Sequence, residues 1–198
     1  VSNGYTSVQT IKDRCRIIDN IDDATLEAVI DAVSRQIDNY TGRRFYTTAL
    51  DEVRYYTAMR GGHLRPGDVL SIATLETDED GDRVYETTWA ATDYDLEPYN
   101  AALDGLPYDC ITVTPRGNYQ FPVGSPRGVK VTGKFGYCTL ANLPPTVGEA
   151  AILQCQKLFL RRDAPFGIVA GAEALMRISR LDPDVIALLD AYRLVTVG

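Results

Sequence analysis

Histidine is nearly missing from this chain: 198 residues include one, His63. The four cysteines, Cys15, Cys110, Cys138 and Cys155, stand far apart and form no Cys-x-x-Cys pair. Zinc sites need clustered thiolates and imidazoles, so the donor set for one is absent, and no cofactor is expected. Reduced thiols in a cytoplasmic setting are the simplest reading. No apolar run approaches the roughly 20 residues that span a bilayer, so no membrane partner is expected. The opening Val-Ser-Asn-Gly-Tyr does not read as a signal peptide. There is no nucleophile motif of the Gly-x-Ser-x-Gly kind. His63, beside Gly61-Gly62, reads as a surface residue and not as a general base, and no enzyme is expected. Internal repeats and low-complexity tracts are also lacking.

A basic excess is lacking too. Lys and Arg number 20 against 27 Asp and Glu, a net charge of −7. Proteins that grip phosphates usually show the opposite balance, so tight non-specific DNA binding is disfavoured. Acidity serves solubility, and it would also suit a channel through which DNA slides.

What is present organises around residues 22–46. Leu26, Val29, Ile30, Val33, Ile37 and Tyr40 recur at steps of three and four, which predicts an amphipathic helix. Asp22 or Asp23 is expected to cap it and Gly42 to close it, since glycine takes the left-handed cap without strain. A first helix is expected over 6–18, from Val8, Ile11, Cys15 and Ile18, packing on the second as a hairpin. From Arg44 the pattern turns to short strand-forming runs: 45–47, 53–57, 69–76, 83–90, 111–114 and 129–135. Turn signals such as Pro66-Gly67 and Asp80-Gly81 separate them. Segments 98–107 and 116–127 read as irregular. After Pro144-Pro145 helix returns, with Val147, Ala151, Ile152, Cys155, Leu158 and Phe159 on one face. Asp182-Pro183 opens a last helix as cap and first-turn proline.

The fold class expected is therefore α+β, a small helical bundle from both chain ends with an inserted antiparallel β subdomain. Its three stretches are a helical hairpin over 1–43, the β insertion over 44–143, and C-terminal helices with a docking arm over 144–198. The arm is placed from Phe166 onward, because 166–180 carries apolar residues, among them Ile168, Met176 and Ile178, without a helical stripe.

Asp78, Asp80 and Asp82, followed by Glu86, can converge on a hard cation. The glycine and glutamate positions of a helix-loop-helix calcium site are not matched, so a solvated Asp-Gly turn is the preferred reading. Trp89, Tyr85, Tyr94 and Tyr99 have Glu86, Asp93, Asp95 and Glu97 as sequence neighbours. A nucleic-acid stacking platform needs basic neighbours, so core packing or a protein interface is expected of these rings.

Several pieces in order carry a resemblance: Ile37-Asp-Asn-Tyr-Thr-Gly-Arg-Arg-Phe45, Thr77-Asp-Glu-Asp-Gly-Asp82 with Tyr85-Glu-Thr-Thr-Trp89, Pro98-Tyr-Asn-Ala-Ala102, Arg127-Gly-Val-Lys-Val-Thr-Gly133, Arg161-Arg-Asp-Ala-Pro-Phe-Gly167 and Leu181-Asp-Pro-Asp-Val185. Together they resemble the head-tail connector (adaptor) proteins of long-tailed bacteriophages, a family also labelled as possible DNA-packaging proteins. The resemblance implies a virion structural protein at the head-tail interface, present in the host cytoplasm during assembly. It implies a homo-oligomeric ring, a dodecamer, that meets the portal protein on one side and a stopper or tail-completion protein on the other. DNA would pass through the channel without tight binding. Candidate interface residues are Arg43, Arg44, Arg161, Arg162, Asp163, Phe166, Ile168, Met176 and Ile178. A DNA-packaging factor and a monomeric ligand-binding β module are the alternatives.

Overall fold

A computed structural model describes residues 3–160 and 181–194. The chain forms two compact units, one helical, from residues up to Arg43 and from Leu140 onward, and one β-rich, Arg44–Thr139. The α+β architecture expected from the sequence is the one observed.

In the helical unit, α1 spans Val8–Cys15 and α2 spans Asp23–Thr41. Ser7 caps α1 by accepting from the Thr10 N–H at 3.1 Å, satisfying a backbone donor that has no partner within the helix. Asp22 stands at the α2 cap position, yet its side chain makes no capping bond. Leu26, Ile30, Val33 and Ile37 are fully buried, the face the three-and-four spacing predicts. Gly42 closes α2 in the left-handed region at φ +71°, as glycine alone does cheaply. Lys12, 6% exposed, is held by Asn20 at 2.5 Å and by Asp23 at 2.8 Å, partners that make its burial tolerable.

Helix α4 of the chain, Pro145–Leu160, packs against α2 and α1. The last helix, α5, Pro183–Leu189, packs on α4. Asp182 caps α5 through the Asp184 N–H, Pro183 takes the first turn, and Lys157 of α4 pairs with the Asp182 carboxylate. Leu181 is 8% exposed, and Val185 and Leu189 are fully buried. This corrects the docking-arm expectation for its described part: α5 belongs to the core of its own unit, because its apolar face is covered by α4. The remainder of that arm lies outside the described residues.

The β unit holds two antiparallel sheets. In the first, β7 (Val129–Phe135) lies between β1 (Glu52–Tyr56) and β3 (Val69–Thr77), and β4 (Thr87–Thr88) extends the β3 edge. In the second, β6 (Cys110–Val113) lies between β2 (His63–Leu64) and β5 (Tyr94–Glu97). A short helix, α3 (Ala101–Asp104), sits in the segment expected to be irregular. Alternation along β7 buries Val129, Val131, Gly133 and Phe135, as its period of two requires. A Cβ on Gly133 would stand 2.2 Å from the Ser71 carbonyl oxygen, where β3 shifts register. Trp89 stacks on Phe121 at 4.7 Å between ring centroids and donates its indole N–H to Thr77 Oγ1 at 3.1 Å. Leu75, Ile111, Val129, Val131 and Phe135 complete this core.

Two strand expectations change and two strands are new. Residues 45–47 form no strand; the Arg44 carbonyl instead accepts from the Tyr137 N–H at 2.7 Å, and Phe45 packs on Tyr137. The run 83–90 contributes only β4, because the acidic tip before it holds its backbone in turns. Strands β2 and β5 were not expected, being short and, in β5, interrupted by Asp95 and Glu97.

Candidate functional site

The tip between β3 and β4 is built on carboxylates. Asp78 is fully buried and accepts from the Gly81 N–H at 2.7 Å and the Arg83 N–H at 3.0 Å. Asp80 accepts from the Asp82 N–H at 3.2 Å, and Asp82 from the Val84 N–H at 2.7 Å. The three carboxylates bring ligand atoms within 4.8 Å of one another. Each also has at least one oxygen committed to backbone N–H groups, which is turn chemistry. Burial alone raises the Asp78 pKa; the two backbone bonds and the Arg83 charge more than offset it and hold the carboxyl below its ordinary value.

That shift sets a pH dependence. A depressed folded pKa gives stability that is fully present above the unfolded carboxylate value of about 3.9 and is lost as pH falls through the folded one. Asp78→Asn is therefore expected to lower the melting temperature of the β unit at pH 7 and to lose less than wild type between pH 5 and 2. A wild-type and variant gap that stays constant across that range would show that the charge contributes nothing.

Two of the candidate interface arginines, Arg43 and Arg44, are engaged inside their own units. Arg43 donates Nε to the Tyr192 carbonyl at 2.7 Å, tying the end of α2 to the last turn of the helical unit. Arg44 donates to Glu52 at 2.6 Å and to the Phe135 carbonyl, and its guanidinium lies over Tyr46. Burial raises the Glu52 pKa, and Arg54 and Arg44 outweigh it, so Glu52 too is held low. Arg161, Arg162, Asp163, Phe166, Ile168, Met176 and Ile178 lie outside the described residues.

The aromatic cluster divides in two. Trp89 is core; Tyr94 is half-buried and packs against that core. Tyr99 is 67% exposed and Tyr55, which the sequence did not single out, 42%. Tyr55 pairs with Tyr85 at 5.8 Å, with Arg127 over one ring and Lys130 over the other. These basic residues come from a distant stretch of chain, so no sequence neighbour announced them. His63 is exposed, with Nδ1 3.2 Å from Thr112 Oγ1, and lines a cleft of about 590 Å³ with Arg60, Arg65, Glu97 and Cys110. All four cysteines are free thiols. Burial pushes the Cys155 thiol up to about 12 and the Cys138 thiol up to about 11, which keeps both protonated and unreactive at neutral pH.

Residues 5–64 match the family described as Phage gp6-like head-tail connector protein. The fold is also that of chains in solved particles. One, in the neck of an empty GTA particle computed with C6 symmetry, is 20% identical at a TM-score of 0.60, covering 96% of this chain and 90% of that one. Another, in the neck of a native GTA particle computed with C12 symmetry, is 19% identical at 0.58 with the same coverage. A third, in the virion of a native gene transfer agent particle, is 19% identical at 0.59. No curated protein matches the chain. The resemblance to head-tail connectors that the sequence carries is borne out by the family match over residues 5–64, and the solved particles share the fold.

Proposed function

We propose that this protein is the head-tail connector of a phage-like particle. Its copies stand side by side in a ring below the portal and pass the DNA channel on to a stopper or tail-completion protein. The observation that carries this reading is the family match over 5–64, which spans α1, α2, the Thr41-Gly42-Arg43 turn that closes α2, and strands β1 and β2. The C6 and C12 symmetries of the necks that hold the same fold support a cyclic arrangement, and a twelve-membered ring is compatible with both. A ring of identical copies requires two different, complementary surfaces on each. The role is one of interfaces, without a catalytic step. DNA slides through and is not gripped, in keeping with the net charge of −7.

Mixing the protein with the portal of its own particle is expected to give rings seated on the portal in electron micrographs. Gel-shift titration at low salt is expected to show no retention of duplex DNA at sub-micromolar protein. An absence of portal complexes together with tight, salt-sensitive DNA binding would replace this reading with that of a packaging factor.

A further inference from the structure

The cleft beside His63 carries charge of both signs, each on its own bank. Leu64 and Cys110, which line it, are almost fully buried and give it an apolar floor. Tyr56 adds a half-buried ring and spends its hydroxyl on the Pro66 carbonyl at 3.1 Å. Met59, also in the lining, is 83% exposed.

Strand register makes the banks. Thr112 of β6 stands opposite His63 of β2 on one side and Asp95 of β5 on the other, and Cys110 stands opposite Glu97. Alternate residues of a strand share a face. The Thr112 hydroxyl accordingly lies 3.2 Å from His63 Nδ1 and 3.6 Å from Cys110 Sγ, while Ile111 between them is fully buried on the other face. Arg65, two residues beyond His63, and Arg60, just before β2, line the same cleft. The arginines therefore gather at β2 and the carboxylates along β5, with the small side chains of β6 between. Two strand spacings set the banks about 10 Å apart.

The banks do not neutralise each other. Among the described residues Arg60 forms no ion pair, and Arg65 reaches only Asp109, at 4.0 Å with both side chains exposed. Glu97 forms no ion pair among them either. The Glu97 charge, and after it that of Asp95, raises the Tyr99 hydroxyl pKa, which marks the β5 bank as negative.

An occupant must answer both signs. A nucleic-acid backbone meets the arginines but is repelled by Glu97 and Asp95. A polycation fails at the arginines. The amino and carboxyl groups of a free amino acid stand only about 3 Å apart and cannot bridge the banks. A cleft of about 590 Å³ has room for a few residues of chain. We infer that it takes an extended segment of a partner protein, with a carboxylate side chain at Arg60 and Arg65, an apolar one over Leu64 and Cys110, and a lysine or arginine at Glu97. Three side chains at alternate positions of an extended segment share a face and span about 13 Å, enough to reach both banks. Such binding goes beyond the connector reading and does not depend on it.

Three synthetic peptides, capped at both ends and labelled for fluorescence anisotropy, test this against the full chain: Glu-Gly-Leu-Gly-Lys, Glu-Gly-Leu-Gly-Glu and Lys-Gly-Leu-Gly-Lys. The mixed peptide is expected to bind about tenfold or more tightly than either of the others, each of which sets like charges together at one bank. Arg60→Glu with Arg65→Glu is expected to lose the mixed peptide and prefer the lysine-ended one. Both arginines are exposed, and an unchanged Trp89 unfolding transition checks that the variant is folded. Glu97→Lys, made separately, is expected to turn the preference to the glutamate-ended peptide. A mixed peptide that does not bind at millimolar concentration, equal binding of all three, or an order of preference unchanged in both variants would overturn the inference. Tightest binding of the glutamate-ended peptide to wild type would make the cleft a plain anion site and overturn it as well. All of these outcomes leave the connector reading standing, since that is read from portal complexes.

Discussion

Val185→Asp is expected to unfold the helical unit. Val185 has no accessible surface, and neither has Leu189 on the same face of α5. A carboxylate there would be taken out of water, at a cost of several kcal/mol. A domain is stable by only about 5–15 kcal/mol, so one such charge removes much of the margin. Trp89, the single tryptophan, lies in the β unit, and this separates the readouts. Far-UV circular dichroism should show helix lost at lower urea than in wild type, while the Trp89 fluorescence transition stays in place. Unchanged helix unfolding would mean that α5 does not hold its unit together.

Gly136→Ala should do the reverse. Gly136 has φ +139°, and a Cβ there would stand 2.2 Å from the Tyr46 carbonyl oxygen. The backbone conformation alone costs a side chain about 1–3 kcal/mol. The clash is with backbone and cannot be relieved by a rotamer, so a total loss of about 3 kcal/mol or more is expected. Here the Trp89 transition should move to lower urea with helix content retained. A variant with wild-type fluorescence unfolding would show that Tyr46 and its neighbours yield easily.

The parts legible in the sequence were those where one period governs. In α2, Leu26, Ile30, Val33 and Ile37 announce a buried face, and all four are buried. In β7, alternation announces Val129, Val131 and Phe135. Strands β2 and β5 were not legible, because pairing with β6, and not their own pattern, makes them strands. Asp182-Pro183 announced α5, and its apolar Val185 and Leu189 are buried as a helical face requires; what could not be read was that α4 covers them, because 161–180 intervenes. The basic neighbours of Tyr55 and Tyr85 were likewise hidden, since Arg127 and Lys130 reach them only through β7, which pairs with β1.

The hydrogen bond between the Tyr137 N–H and the Arg44 carbonyl, at 2.7 Å, has a consequence for the timing of folding. It joins the first residue of the β unit to a residue almost at its end, so the folded unit begins and finishes at one place. The helical unit is discontinuous: α1 and α2 are synthesised long before α4 and α5. As an open coil, the intervening segment would impose a closure entropy that grows by about 0.6 kcal/mol with each doubling of length. Once folded, it behaves as a very short connection. Segments generally fold as units while the chain emerges from the ribosome. The β unit, being continuous, has all its residues before α4 emerges, and its folding alone brings the two ends of the intervening segment together.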